Sequence, residues 1–162
     1  MANWCNNKVT FTGSEERLDK VLNLFQAMIE KESKGNIGQI PDFIESKSGY
    51  FFEIYQNDTD EYSFQYETRW SPNIESLWLI ANHYNVGFVL DYEESGCMVY
   101  GKTIYENEIL TDYFLNQCDF QDCTYNAETD CYDFEGKTYD YKEDIMKILL
   151  ERKINKANQK SA

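Results

Sequence analysis

Residues 61–70 read EYSFQYETRW, and Tyr62, Phe64, Tyr66, Thr68 and Trp70 alternate there with Ser63, Gln65, Glu67 and Arg69. Successive side chains of a strand point to opposite faces, so this run predicts one aromatic and one polar sheet face. A chain holding such a strand must cover the aromatic face with other elements. The flanking sequence supplies them.

Upstream, YFFEIYQ (50–56) is a second strand, joined to the first through NDTD, a cluster suited to a hairpin turn. Downstream, Ser71 with Pro72 predicts the cap and first position of a helix over 72–84, with Ile74, Leu77, Trp78, Ala81 and Tyr84 as its apolar stripe. Near the start, WCNNKVTFT alternates, placing Cys5, Val9 and Phe11 opposite Asn6, Lys8, Thr10 and Thr12. Ser14 then caps a helix over 14–34 whose Leu18, Val21, Leu22, Phe25, Met28 and Ile29 recur at helical spacing, with Glu15, Glu16 and Asp19 near its N-terminal dipole. Residues 35–49 (GNIGQIPDFIESKSG) read as a surface connection. GFVLDYE and CMVYGKTIY, parted by a turn at Glu94-Ser95-Gly96, give one more strand pair.

Strand, helix, strand, strand, helix, strand is the ferredoxin-like order, so the expected class is α+β with a βαββαβ core and a mainly antiparallel sheet. Past Tyr105, ILTDYFL, DFQDCTYN, DCYDF and KTYDY are short strand candidates separated by ENE, AETD and EG. A terminal helix over 142–157 follows, with Ile145, Ile148, Leu149 and Ile154 inward and residues 158–162 as a flexible tail. The expected organisation is a single domain over 1–157: a core at 1–105, an acidic strand extension of its sheet at 106–141, and a closing helix. A chain of 162 residues is long enough to bury such a core.

Charge separates these parts. The net charge is −14, and residues 106–144 hold 12 acidic against 2 basic side chains, while residues 145–162 hold 1 against 5. Nucleic-acid binding calls for a positive footprint on the phosphates, and none is visible, so no nucleic-acid partner is expected. No apolar run reaches the length of a bilayer span, and no membrane association is expected. Five cysteines without a close-set framework fit a reducing, cytoplasmic setting.

The candidates for chemistry are weak. Cys5 as a thiolate nucleophile needs a base, and the one histidine is His83, at the edge of the second helix with no oxyanion-hole signature nearby. Cys5 reads better as a small buried residue at a strand start, with Trp4 covering a sheet end. Asp58, Asp60 and Glu61 lack the spacing of a calcium loop and suit a solvated turn. Cys118, Cys123 and Cys131 lack zinc spacing, and Glu93 and Glu94 point to opposite faces of one strand. The expectation is a protein that is not an enzyme, with no catalytic residues, metal or cofactor. The aromatic face of residues 62–70 invites comparison with sheets that stack bases, but it is the face the two helices need for their core.

Four segments together carry a resemblance: NWCNN at the start, Ile40-Pro41, RWSPNIESL entering the second helix, and YEESG in the later turn. They resemble the YubB-type ferredoxin-like family over residues 2–105. The resemblance implies the same fold and a setting among proteins of phages, plasmids and integrated elements, with no biochemical role assigned. Asp42-Phe43 departs from the second proline common in that family, and the acidic segment looks particular to this branch.

An interaction protein is therefore the leading class. An acidic stretch presents a phosphate-like potential to a basic protein surface. The candidate contact residues are Asp119, Asp122, Asp130, Asp133 and Glu135, with Asp133 and Glu135 sharing a strand face. The basic terminal helix should lie along this segment and offset part of its charge. The alternatives are a single-stranded nucleic-acid-binding module and a cysteine-dependent enzyme.

Overall fold

A computed structural model describes residues 3–35, 37–45, 49–94, 96 and 98–161. The elements run β1 (Trp4–Thr12), α1 (Glu15–Gly35), β2 (Phe52–Asn57), β3 (Asp60–Arg69), α2 (Ile74–Tyr84), β4 (Gly87–Glu94), β5 (Val99–Glu106), β6 (Ile109–Phe114), a 3-10 turn (Gln117–Phe120), β7 (Cys123–Asn126), β8 (Cys131–Phe134), β9 (Lys137–Tyr139) and α3 (Lys142–Ser161). Ser95 and Cys97, assigned above to a turn and a strand start, lie outside the described residues.

β1 is the centre of the main sheet, pairing antiparallel with β3 on one side and β4 on the other. The strand order β2-β3-β1-β4 is that of a ferredoxin-like sheet, and β5 and β6 widen it beyond β4. Register puts Val9 beside Phe64 and Leu90, and Phe11 beside Phe88, all on one face. α1 and α2 cover that face. The stripe Leu18, Val21, Phe25 and Met28 is buried, and the Phe25 ring stacks on Phe64 at 4.3 Å between centroids. Burial of this kind supplies most of a helix's stability, because packing of an amphipathic face contributes more than intrinsic propensity does.

The face of β3 is as its alternation implies: Phe64, Tyr66 and Thr68 are buried, and half-buried Tyr62 donates from its hydroxyl to Asp19. Trp70 is the exception. The Trp70 N–H donates to the Asn3 carbonyl, and Ser71 N–H donates to the Arg69 carbonyl across a tight turn in which Trp70 has φ +69°. That left-handed turn ends the alternation and leaves Trp70 exposed.

α2 begins at Ile74 rather than Pro72. Asn73 caps it with non-helical angles, and its side chain makes no cap bond, because it accepts from the Tyr66 hydroxyl and donates to the Gly49 carbonyl. Ser76, Leu77, Ile80 and Ala81 form its buried face, so Trp78, assigned inward from spacing, lies outside. At the other end Asn85 takes the left-handed conformation and Val86 N–H returns to the Ala81 carbonyl, a Schellman-type stop.

The strand extension divides. β6 joins the main sheet through a two-residue turn with Asn107 and Glu108 both at positive φ, the geometry of a tight hairpin. β7, β8 and β9 form a separate three-stranded sheet instead of continuing it. A second small core joins α3 to the β5–β6 side of the main sheet: Leu115, Phe120, Met146 and Leu150 are buried, with Tyr100, Tyr113, Leu149 and Ile154 packed around them. Ile145 is fully buried, whereas Ile148 is only half-buried. α3 continues to Ser161, past the expected end at 157, because no glycine or proline interrupts residues 142–161.

The apolar contacts of α3 are its main attachment. Met146→Ala should lower unfolding stability by about 2–5 kcal/mol. Arg152→Ala, which removes an exposed ion pair, should leave the urea midpoint little changed. Equal losses in the two variants would show that charge holds this helix in place.

Candidate functional site

The acidic segment and α3 meet as opposite charges. The Arg152 guanidinium donates to both oxygens of Glu135 at 2.6 and 2.7 Å, and Lys153 donates to Asp119 at 2.8 Å. The hydrogen bond from Arg152 holds the Glu135 carboxyl below the ordinary 4.5. For Asp119, burial opposes ionisation, but the Asn116 backbone N–H and Lys153 outweigh it and hold the carboxyl below 3.8. Asp119 also completes a capping box with Asn116 on the 3-10 turn. These lowered values make the pairs' contribution complete above the ordinary carboxyl range, to be lost as pH falls through the lowered values.

Two of the five candidate contact residues are therefore engaged within the chain. The remaining three bond only to neutral groups or face water. Asp130 accepts from the Tyr125 hydroxyl, Asp133 accepts from the Thr138 hydroxyl, and Asp122 is exposed in the turn before β7. None of these three forms an ion pair among the described residues. Asp133 and Glu135 do not share a strand face. β8 ends at Phe134, and Glu135 sits at φ +51° in the turn to β9, from which it reaches Arg152.

Cys5 is fully buried, and burial pushes its thiol up to about 11, against a weaker opposing hydrogen bond from Thr68. His83 is exposed and stacks on Phe43, 4.0 Å between centroids and nearly parallel. The two residues sit in separate surroundings, and the geometry brings no base to the thiol. Asp60 caps its own strand by accepting from Tyr62 N–H, and no group of three metal-ligating side chains occurs among the described residues.

Sequence reasoning missed an aromatic corner on the polar side of the sheet. Trp4 and Phe52 meet edge to face at 5.1 Å, and the Arg69 guanidinium lies 5.8 Å from the Trp4 ring and 5.1 Å from Phe52. Cross-strand pairing of Trp4 with Arg69 makes this stack. Beside it, Arg69, Trp70, Tyr50 and Ile74 line a cleft of about 550 Å³. The signal in the sequence was Trp4 and Arg69 on the same alternation parity of two paired strands, which becomes visible only with the register known. A second cleft of about 560 Å³ lies across Pro72 and Ile74, between α2 and β6, and Asp112 opens into it.

The architecture defines a ferredoxin-like α+β domain widened by two strands and closed by a helix. Residues 49–135, more than half of the chain, match the family described as the ferredoxin-like domain in Api92-like protein, and the chain belongs to that family. The match spans β2 to β8, so it covers residues 106–135 of the acidic segment and stops before β9 and α3. Searches of curated proteins and of solved structures returned no match. Among the described residues, no helix is long and apolar enough to cross a membrane.

The Cys5 thiol supplies a test of this interior. A thiol whose folded value is raised contributes stability that is complete below its unfolded value and is lost as pH rises through the folded one. Stability should therefore fall between about pH 9 and 11, and Cys5→Ala should remove part of that slope in chemical denaturation across the range. Iodoacetamide at pH 8 should label exposed Cys118 and spare Cys5. Rapid labelling of Cys5 in the folded chain would contradict the burial described.

Proposed function

We propose that this chain is a non-catalytic protein-interaction module that engages a basic protein through its acidic C-terminal part, in a cytoplasmic setting. One observation carries the reading: α3 neutralises Asp119 and Glu135 but leaves Asp122, Asp130 and Asp133 outside any ion pair among the described residues. α3 thus commits Arg152 and Lys153 to two carboxylates at its seam, while Asp122 and Asp130 stay exposed. Such a surface favours fast, salt-sensitive association with a cationic partner. The YubB-type resemblance, with its mobile-element setting, belongs to this proposal and makes a host factor the natural class of partner.

A second reading rests on a different observation. Trp4, Phe52 and Arg69 form an aromatic and cationic stack on the sheet side opposite α1 and α2, where single-stranded nucleic acid lies in ferredoxin-like binders. The chain's net charge of −14 works against it.

The two readings separate in one experiment. A basic protein such as a histone, titrated into the chain, should bind at low salt and weaken steeply as salt passes through the physiological range. The triple variant Asp122→Asn, Asp130→Asn, Asp133→Asn should lose most of that binding while keeping its circular dichroism. Oligo-dT should leave the tryptophan fluorescence unchanged. Undiminished binding by the triple variant would overturn the first reading, and quenching by oligo-dT that Trp4→Ala abolishes would establish the second.

A further inference from the structure

The two edges of the main sheet are treated differently. At β2 the strand is irregular, Glu53 has φ +49°, and the Glu32 carboxylate of α1 accepts from the N–H groups of Glu53 and Ile54 at 3.0 and 2.9 Å. Gln39 and Phe51 add a further bridge there. That edge is closed to another chain in the ways natural sheets use.

β6 carries none of these devices. It pairs with β5 without a register break, and ILTDYF contains no proline, lysine or glycine. The two-residue turn makes Glu106 and Ile109 a hydrogen-bonded pair, so Ile109, Thr111 and Tyr113 bond to β5. The N–H and C=O groups of Leu110 and Asp112 then point off the sheet. No hydrogen bond to those backbone groups occurs among the described residues. Ile109 is 66% and Leu110 43% exposed. α3 reaches only the far end of the strand, where Lys153 lies over the Phe114 ring.

Asp112 gives this edge a chemical preference. Its carboxylate accepts from the Tyr92 hydroxyl at 3.0 Å and from the Thr103 hydroxyl at 2.8 Å, two neutral donors. Tyr92 reaches it by passing over Gly101, its register partner, where any side chain would collide with the Tyr92 hydroxyl. The carboxylate is held in place with its charge uncompensated by any ion pair among the described residues, at the mouth of the cleft between β6 and α2. Glu106 and Glu108 lie at the hairpin end of the same edge.

We propose that the open edge of β6 takes up an extended segment of the basic partner by strand addition, with a lysine or arginine side chain of that segment meeting Asp112. Main-chain bonds to Leu110 and Asp112 supply the attachment, and Asp112 selects the cation. A second copy of this chain fits the edge less well. It would bring Glu106, Glu108 and Asp112 of one copy toward those of another across one short strand.

This inference rests on the reading of a basic partner, and its test separates the two. The probe is an acetylated, amidated octapeptide alternating Lys and Val, compared with one alternating Lys and Pro, which carries the same charge but cannot pair as a strand. The Lys–Val peptide should bind roughly tenfold or more tightly than the Lys–Pro peptide, a difference of one decade in Kd. It should slow amide exchange at Leu110 and Asp112. Asp112→Asn should weaken it roughly tenfold, and Leu110→Pro, at an outward N–H that β5 does not use, should abolish it. If Leu110→Pro fails to fold, the exchange pattern of the unaltered chain decides. Equal affinity for the two peptides, or binding without slowed exchange at β6, overturns strand addition while leaving the wider reading in place. Failure of both peptides and of the histone to bind overturns both. A dimer in sedimentation with those amides already slow would assign the edge to a second copy and overturn the assignment to a partner.

Discussion

Everything in this molecule is arranged around a strand that has neighbours on both sides and a helix layer on only one. β1 pairs with β3 and β4, and its odd-numbered side chains face α1 and α2. Phe25 against Phe64 joins the α1 stripe to the sheet, so the helix layer is fixed at the sheet's middle. Among the described residues, no helix covers most of the opposite face. At the β5–β6 corner Tyr100 and Tyr113 gain apolar cover from the small core under α3. The placement of polar residues on that face and the aromatic stack of Trp4, Phe52 and Arg69 follow from that one-sided cover.

The core was legible in the sequence because its signals are local. Alternation in β1 and β3, the spacing of Leu18, Val21, Phe25 and Met28, and the acidic first turn of α1 depend on residues a few positions apart. What the sequence concealed depends on distant partners. Trp70 leaves its strand face because the chain turns there through a left-handed residue just past its bond to Asn3, and Asn73 is lost as a side-chain cap because Tyr66 and Gly49 claim it. The strands β7 to β9 are three or four residues long, too short for alternation to say which sheet they join. Charge offered a coarser clue: the basic helix does lie along the acidic segment, but composition did not say which carboxylates it would take.

The candidate surface was legible only as a region. Asp119 and Glu135 are separated from their cations by 34 and 17 residues, a pairing that needs the fold. Asp112 drew no notice in the sequence, because a single aspartate in an apolar run carries no motif. Its standing comes from Tyr92 and Thr103, contributed by two other strands, and from the glycine that lets Tyr92 pass.

The small core under α3 also has a bearing on the order in which the molecule is assembled. Its buried members come from two stretches: Leu115 and Phe120, and then Met146 and Leu150. During synthesis the ferredoxin-like sheet has all its helices by residue 84 and its central strands by residue 94, so it has the means to close early. Tyr100, Tyr113, Leu115 and Phe120 then wait in water until α3 leaves the ribosome. For that interval the nascent chain would show an uncovered apolar corner, the kind of surface that makes incompletely folded species prone to aggregate. Docking of α3 covers that corner, and the Arg152 and Lys153 pairs give the helix an electrostatic register against Glu135 and Asp119.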